Sequence, residues 1–117
     1  MATLSGEKGN ATVVIANGES LSTGVELASA TLLGIIMPSA WTAADITYQG
    51  SQDGTTWYDL HTDPAGEVVS TVTAGKLVSV YAEDFEACQW LRLRSGTSSA
   101  AVAQGAARTL TLVIGDA

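Results

Sequence analysis

Three groups of residues in this 117-residue chain have types and spacings that chemistry could use. Asp59-x-His61-x-Asp63 recurs at every second position, so in an extended chain an imidazole and two carboxylates point the same way, the donor set of a divalent-metal site. Asp63 precedes Pro64 in a turn signal and its neighbours are ordinary exposed polar positions, so no metal is expected there. Glu83, Asp84 and Glu86 place three carboxyls within four residues. Glycoside hydrolysis needs two acids held roughly 5 to 10 Å apart across a bond, whereas three on one turn face water. His61 is the single histidine and has no Ser or Cys at a spacing that makes a nucleophile and base pair. The lone cysteine, Cys88, excludes an internal disulfide and a Cys-based zinc site. The expectation is a protein that is not an enzyme and carries no cofactor.

Binding chemistry is the next possibility. Trp41, Tyr48, Trp57, Tyr58 and Trp90 are candidates to stack on a sugar, but with only seven aromatic residues in the chain most are needed for packing. Twelve acidic against five basic residues give a net charge of −7, and no cluster of cations follows any face, which argues against binding a phosphate backbone. No run approaches the roughly 20 apolar residues that cross a bilayer, and MATLSGEKGN lacks the basic start and apolar centre of a secretion signal. The sequence reads as a soluble protein made in the cytoplasm, with no nucleic-acid or membrane partner.

The elements that position these residues are β-strands. Asp45 to Leu60, DITYQGSQDGTTWYDL, reads as a hairpin turning on Asp53 and Gly54. Gly54 takes the positive φ that a tight turn needs, the Asp53 carboxylate and the hydroxyls of Ser51, Thr55 and Thr56 satisfy stray backbone groups, and Trp57 folds back to lock the turn. Further strands are expected at Thr12 to Ala16, Val25 to Leu27, Thr31 to Met37, Glu67 to Thr73, Leu77 to Tyr81, Trp90 to Ser95 and Arg108 to Ile114. Thr31 to Met37 is apolar at consecutive positions, as in a strand covered on both faces or facing a partner chain. Pro38 to Ala44 is expected to form a corner with one helical turn. Residues 83 to 89 suit a short helical turn with Phe85 plugged into the core, and residues 96 to 107 form a loop of small residues around Val102 and Gln104. No helical period extends beyond about six residues. The fold class is therefore all-β: a single-domain sandwich, jelly-roll-like, of about eight short antiparallel strands over residues 12–117, preceded by a flexible arm at 1–11. A barrel is the alternative. Eighteen alanines make the expected core thin, so association with other chains would supplement it.

Ser51-Gln-Asp53-Gly-Thr55-Thr-Trp57 is similar to the Asp-box hairpin of sialidases and to hairpins of discoidin-type sandwiches, one residue short of the usual Asp-box spacing. In those proteins the motif builds a turn away from the reaction centre. Two longer blocks, GIIMPSAWTAADITYQGSQDGTTWYDL at 34–60 and WLRLRSGTSSAAVAQGAARTLTLVI at 90–114, resemble a small family of virion proteins from tailed bacteriophages. The likeness spans roughly residues 12–115. It implies a structural virion protein, a capsid decoration or cement protein or the base of a head spike or head fibre, located on the capsid surface. Its partners would be the phage major capsid protein and further copies of itself, with a trimer favoured. Leu33, Ile35, Trp41, Arg92 and Arg94 are the candidate interface residues, the two arginines pairing with Glu83, Asp84 or Glu86 within the chain or across copies. A glycan-binding module of a fibre or tail is the runner-up.

Overall fold

The computed structural model describes residues 8–116. Eleven strands run in the order β1 (Lys8–Ile15), β2 (Val25–Glu26), β3 (Thr31–Ile36), β4 (Ile46–Ser51), β5 (Tyr58–Asp59), β6 (His61–Thr62), β7 (Gly66–Glu67), β8 (Val69–Ser70), β9 (Leu77–Ser79), β10 (Trp90–Ser95) and β11 (Arg108–Gly115). One sheet has the order β1-β11-β3-β9, and the other has β2-β10-β4-β5 with β8 also on β4. Every pairing is antiparallel.

The pairings are nested. β1 pairs β11, β2 pairs β10, β3 pairs β9, and β4 pairs β5 and β8, so the chain is one long hairpin whose tip is the stretch after β4. Wrapping that hairpin brings β11 against β3 and β10 against β4, which closes two sheets in jelly-roll topology. The chain is thus an all-β sandwich. β5 to β8 occupy one strand position, because β6 and β7 form a two-stranded excursion inserted between Asp59 and Val69. Val68 N–H donates to Leu60 C=O at 3.0 Å and closes its base. The expected single strand at Glu67 to Thr73 is therefore broken, and eight strand positions remain.

Alternation explains the core. Val13 and Ile15 of β1, Leu110 and Leu112 of β11, Leu91 and Leu93 of β10, and Ile46 and Tyr48 of β4 are all wholly buried at every second position. β3 departs from this rule for a reason. Val113 pairs with Gly34 but Ile114 pairs with Leu32, so Leu33 is the extra residue of a bulge. Leu32 and Ile35, three apart, then both face inward while Ile36 is exposed. The consecutive apolar run records a shift of register within one strand, not two covered faces.

Two other expectations change. β1 begins at Lys8, so residues 8 to 11 belong to a strand and not to an arm; their backbone pairs with Leu112 to Gly115, which needs no apolar side chain. Residues 1–7 lie outside the described residues. The corner at Pro38 to Ala44 contains no helical turn, and the indole N–H of Trp41 braces it by donating to Ala44 C=O at 3.2 Å.

The short 3-10 helix Ala82–Phe85 drives Phe85 into the open end of the sandwich. Its ring meets Tyr48 edge-on, centroids 4.8 Å apart. Burial pushes the Tyr48 hydroxyl well above its ordinary pKa, and it shares a 2.7 Å hydrogen bond with Ser70. Phe85→Ala opens a cavity under both sheets and is expected to cost about 3–5 kcal/mol. Urea unfolding should show this as a lower midpoint at unchanged slope.

Candidate functional site

β10 reads WLRLRS, and its alternation sends Leu91 and Leu93 inward and Trp90, Arg92 and Arg94 to the outer face of the second sheet. Register sets their neighbours. Trp90 lies opposite Ser51, Arg92 opposite Gln49 and Arg94 opposite Thr47 on β4, while Asp59 of β5 flanks Gln49 from the other side. Polar side chains on three adjacent strands thus form one row.

Hydrogen bonds and two ion pairs join that row. Arg92 Nε donates to Gln49 Oε1 at 2.8 Å, and Gln49 Nε2 donates to Asp59 Oδ1 at 3.0 Å. Arg94 ion-pairs with Asp59 through Nη2, and its Nη1 lies 3.3 Å from Glu67 Oε2 and 3.2 Å from Thr47 Oγ1. Glu67 also accepts the Ser98 N–H at 3.1 Å, and Thr47 Oγ1 donates to Gly96 C=O at 2.8 Å. The Arg92 guanidinium lies 4.4 Å from the centre of the Trp57 ring, a cation–π contact. Arg94 itself is buried, with 6% of its surface exposed, and the excursion carrying Glu67 helps to cover it.

This arrangement pairs its charged groups with one another and with the Gln49 amide. The Gln49 amide and then the Arg94 guanidinium hold the Asp59 carboxyl below its ordinary pKa, so it stays ionised and engaged. Asp59, His61 and Asp63 do not converge: Asp59 ends β5, His61 opens the excursion and Asp63 lies in its turn. Among the described residues no group of three His, Cys, Asp or Glu side chains is placed to hold a metal ion. Glu83 and Glu86 are exposed, and the partners of Arg94 are Asp59 and Glu67 instead of the acids at 83 to 86. Cys88 is a buried thiol whose pKa burial raises, packed against Gly50.

The turn at Asp53 is a hydrogen-bonded device. Asp53 Oδ1 accepts the N–H groups of Thr55 and Thr56, both at 2.8 Å, and the Ser51 hydroxyl at 3.0 Å. The Thr56 and Thr55 amides in particular hold its carboxyl below the ordinary range. Gly54 has φ +77°, and a Cβ there would stand 2.9 Å from the Trp90 ring. The indole lying on the turn is therefore Trp90. Trp57 packs instead on Gly24 and Arg92, because β5 begins directly after it and carries it toward β10.

The candidate interface residues separate. Ile35 is wholly buried in the core and Arg94 is enclosed by its ion pairs, so neither is available to another molecule. Leu33, Trp41 and Arg92 are half-buried, on the first sheet, the corner and the second sheet respectively. Four surface depressions each contain at most one carboxylate. The largest, about 550 Å³, is lined by Trp41, Asp45, Val72 and Thr73 among others, and one of about 350 Å³ lies over Leu33, Leu77 and Val113. Others of about 220 and 160 Å³ include Asp84 and Asp59.

Sequence reading underrated Gln104. Buried at 1% exposure, it accepts the Thr42 N–H at 2.9 Å and Arg108 Nε at 3.1 Å, and donates to Thr42 C=O at 3.0 Å and Ser95 Oγ at 2.7 Å. Its backbone bonds Gly18 and Glu19. One amide thereby ties the corner, β10, β11 and the first turn together. The available signal was a lone amide among Ala, Ser and Gly. Comparisons with family models, with curated proteins and with solved structures returned no match.

Arg94→Lys is expected to cost about 1–3 kcal/mol, since an ammonium cannot span Asp59, Glu67 and Thr47 as a planar fork does. Adding Glu67→Gln to that variant should cost little more, which a double-mutant cycle in urea will read. Because folding depresses the pKa values of Asp53 and Asp59, their stabilisation is full above the ordinary carboxylate range, near pH 4, and is lost as pH falls through the depressed values. Thermal melts from pH 7 to pH 2 should therefore show an acid limb that Asp59→Asn flattens.

Proposed function

We propose that this chain is a non-enzymatic structural protein of a tailed-bacteriophage virion that attaches to the capsid surface and associates with copies of itself. The observation that carries the reading is an asymmetry between the two outer sheet faces. On the second sheet, Arg94 is paired with Asp59 and Glu67 and Arg92 with Gln49 beneath the Trp57 ring, so the outer face is mostly a row of polar groups, with Val69 the large apolar side chain exposed beside it. On the first sheet, Val14, Ile36 and Leu77 are 38, 42 and 67% exposed, amid threonines at 12, 109 and 111. A broad apolar sheet face without a deep cleft suits contact with another protein surface better than turnover of a small molecule.

The resemblance of residues 34–60 and 90–114 to phage virion proteins supports the same reading. Jelly rolls serve both capsid proteins and lectins, so the fold alone does not choose. The glycan-binding alternative rests on one specific feature, the depression of about 550 Å³ where the braced Trp41 ring lies near Asp45 and Thr73.

Purified protein is expected to co-sediment with cognate empty heads, and Ile36→Lys with Leu77→Glu, an opposite-charge pair at facing positions of β3 and β9, to abolish co-sedimentation while leaving the melting temperature within a few degrees. Failure of the unmodified chain to bind heads, together with capture on a glycan array that Trp41→Ala abolishes, would replace the capsid reading with the glycan one.

A further inference from the structure

Sheets end in edges, and this molecule treats its edges unequally. The edge strands β2, β5, β8 and β9 have only two or three residues each, a common defence against pairing with another chain. β1 is an eight-residue edge strand. Its far end is closed, because Val14 N–H donates to Thr23 Oγ1 at 3.0 Å and Val14 C=O accepts the Thr23 N–H at 2.9 Å. Those bonds also fix parity: the backbone groups of Val14 point away from β11, and so do those of Lys8, Asn10 and Thr12. Nothing among the described residues bonds the N–H and C=O groups of these three.

We propose that this open edge is a seam at which a second copy of the chain pairs antiparallel, on a two-fold axis through Asn10. The proposal deepens the self-association put forward above and rests on that reading for the expectation that copies meet at all. In this register Asn10 faces Asn10 of the second copy, and Lys8 faces Thr12 in both directions. Every outward N–H then finds a carbonyl, as two-fold symmetry requires of a self-complementary patch. Side chains do not obstruct the approach. Gly9 and Ala11 are the inward residues at the axis, there is no proline or bulge, and the only charge, Lys8, meets a threonine. The two first sheets become one eight-stranded sheet, and their apolar outer faces lie on the same side of it.

Cysteine cross-linking reads the register directly. Facing residues of a hydrogen-bonded antiparallel pair have Cα atoms about 5.5 Å apart, within disulfide reach, and the native Cys88 is buried. Asn10→Cys should form a disulfide-linked dimer under mild oxidant. Thr12→Cys should not, since its counterpart lies four residues along the ladder, about 14 Å away. Asn10→Pro removes only an outward N–H, so it should keep the melting temperature and sediment as a monomer, whereas Ala11→Pro, whose N–H faces β11, should lower the melting temperature. Cross-linking of Asn10→Cys no better than Thr12→Cys, or a folded Asn10→Pro that still associates, overturns the seam and leaves self-association standing. An unmodified chain that stays monomeric to about 1 mM overturns both the seam and the self-association, whatever its affinity for heads.

Discussion

Everything in this molecule depends on the closure of one long hairpin. β1 meets β11 through eight residue pairs, Lys8 with Gly115 to Ile15 with Arg108, and each pairing nested inside joins an earlier segment to a later one. None of the buried rows exists before that closure. Val13 and Ile15 have nothing to cover them until Leu110 and Leu112 arrive from the other end, and Leu91 and Leu93 face Phe85 and Tyr48 only after the hairpin has wrapped. Such non-local pairing must overcome loop-closure entropy before contacts reward it, so folding is expected to be slow for a chain of this length. It also explains the density of polar ties at the places where the wrap turns. Gln104 pins the corner at Thr42 to the ends of β10 and β11, and Thr31 Oγ1 donates to Ala82 C=O at 2.6 Å to hold the helix that carries Phe85.

The polar row on the second sheet follows from the same architecture. β10 lies between β2 and β4 and needs leucines on its core side, so its alternate positions must go outward, where arginine offers a long stem to cover sheet surface and a fork to bind carboxylates. The excursion β6–β7 returns Glu67 over that face, and no buried side-chain nitrogen or oxygen among the described residues is left without a partner. The charges of the row are paired within it: Asp59 Oδ1 accepts from both Gln49 and Arg94, and Arg94 also reaches Glu67.

Strand positions were legible in the sequence wherever period and burial coincide. Trp90 to Ser95 alternates cleanly and is a strand over those same residues; Phe85, alone among acids, is the plug it was expected to be. Three things were hidden, each for a physical reason. The bulge at Leu33 turns an alternating strand into a consecutive apolar run, which periodicity cannot distinguish from a strand covered on both faces. The partners of Arg94 come from residues 59 and 67, brought near by an excursion that interrupts a strand, while Glu83 and Glu86, closer in sequence, face solvent. Lys8 to Ala11 joins β1 through backbone bonds alone, and a ladder of that kind leaves no mark on side-chain composition.

Charge decides what kind of contact remains available. Of the five cations, Arg92, Arg94 and Arg108 are bound to Gln49, Asp59, Glu67, Gln104 and Thr42. Only Lys8 and Lys76 stand against a surface that is otherwise acidic. Two such molecules repel at long range, with a screening length of about 8 Å at physiological salt. Any contact between copies must therefore be won at short range, from backbone hydrogen bonds and apolar area instead of opposite charge. That is the inventory of the first sheet: an edge with amides that no described residue bonds, beside a face bearing valine, isoleucine and leucine. It follows that association between copies should strengthen as salt rises, the reverse of what an arginine-to-acid seam would give, and this sign alone separates the two kinds of interface.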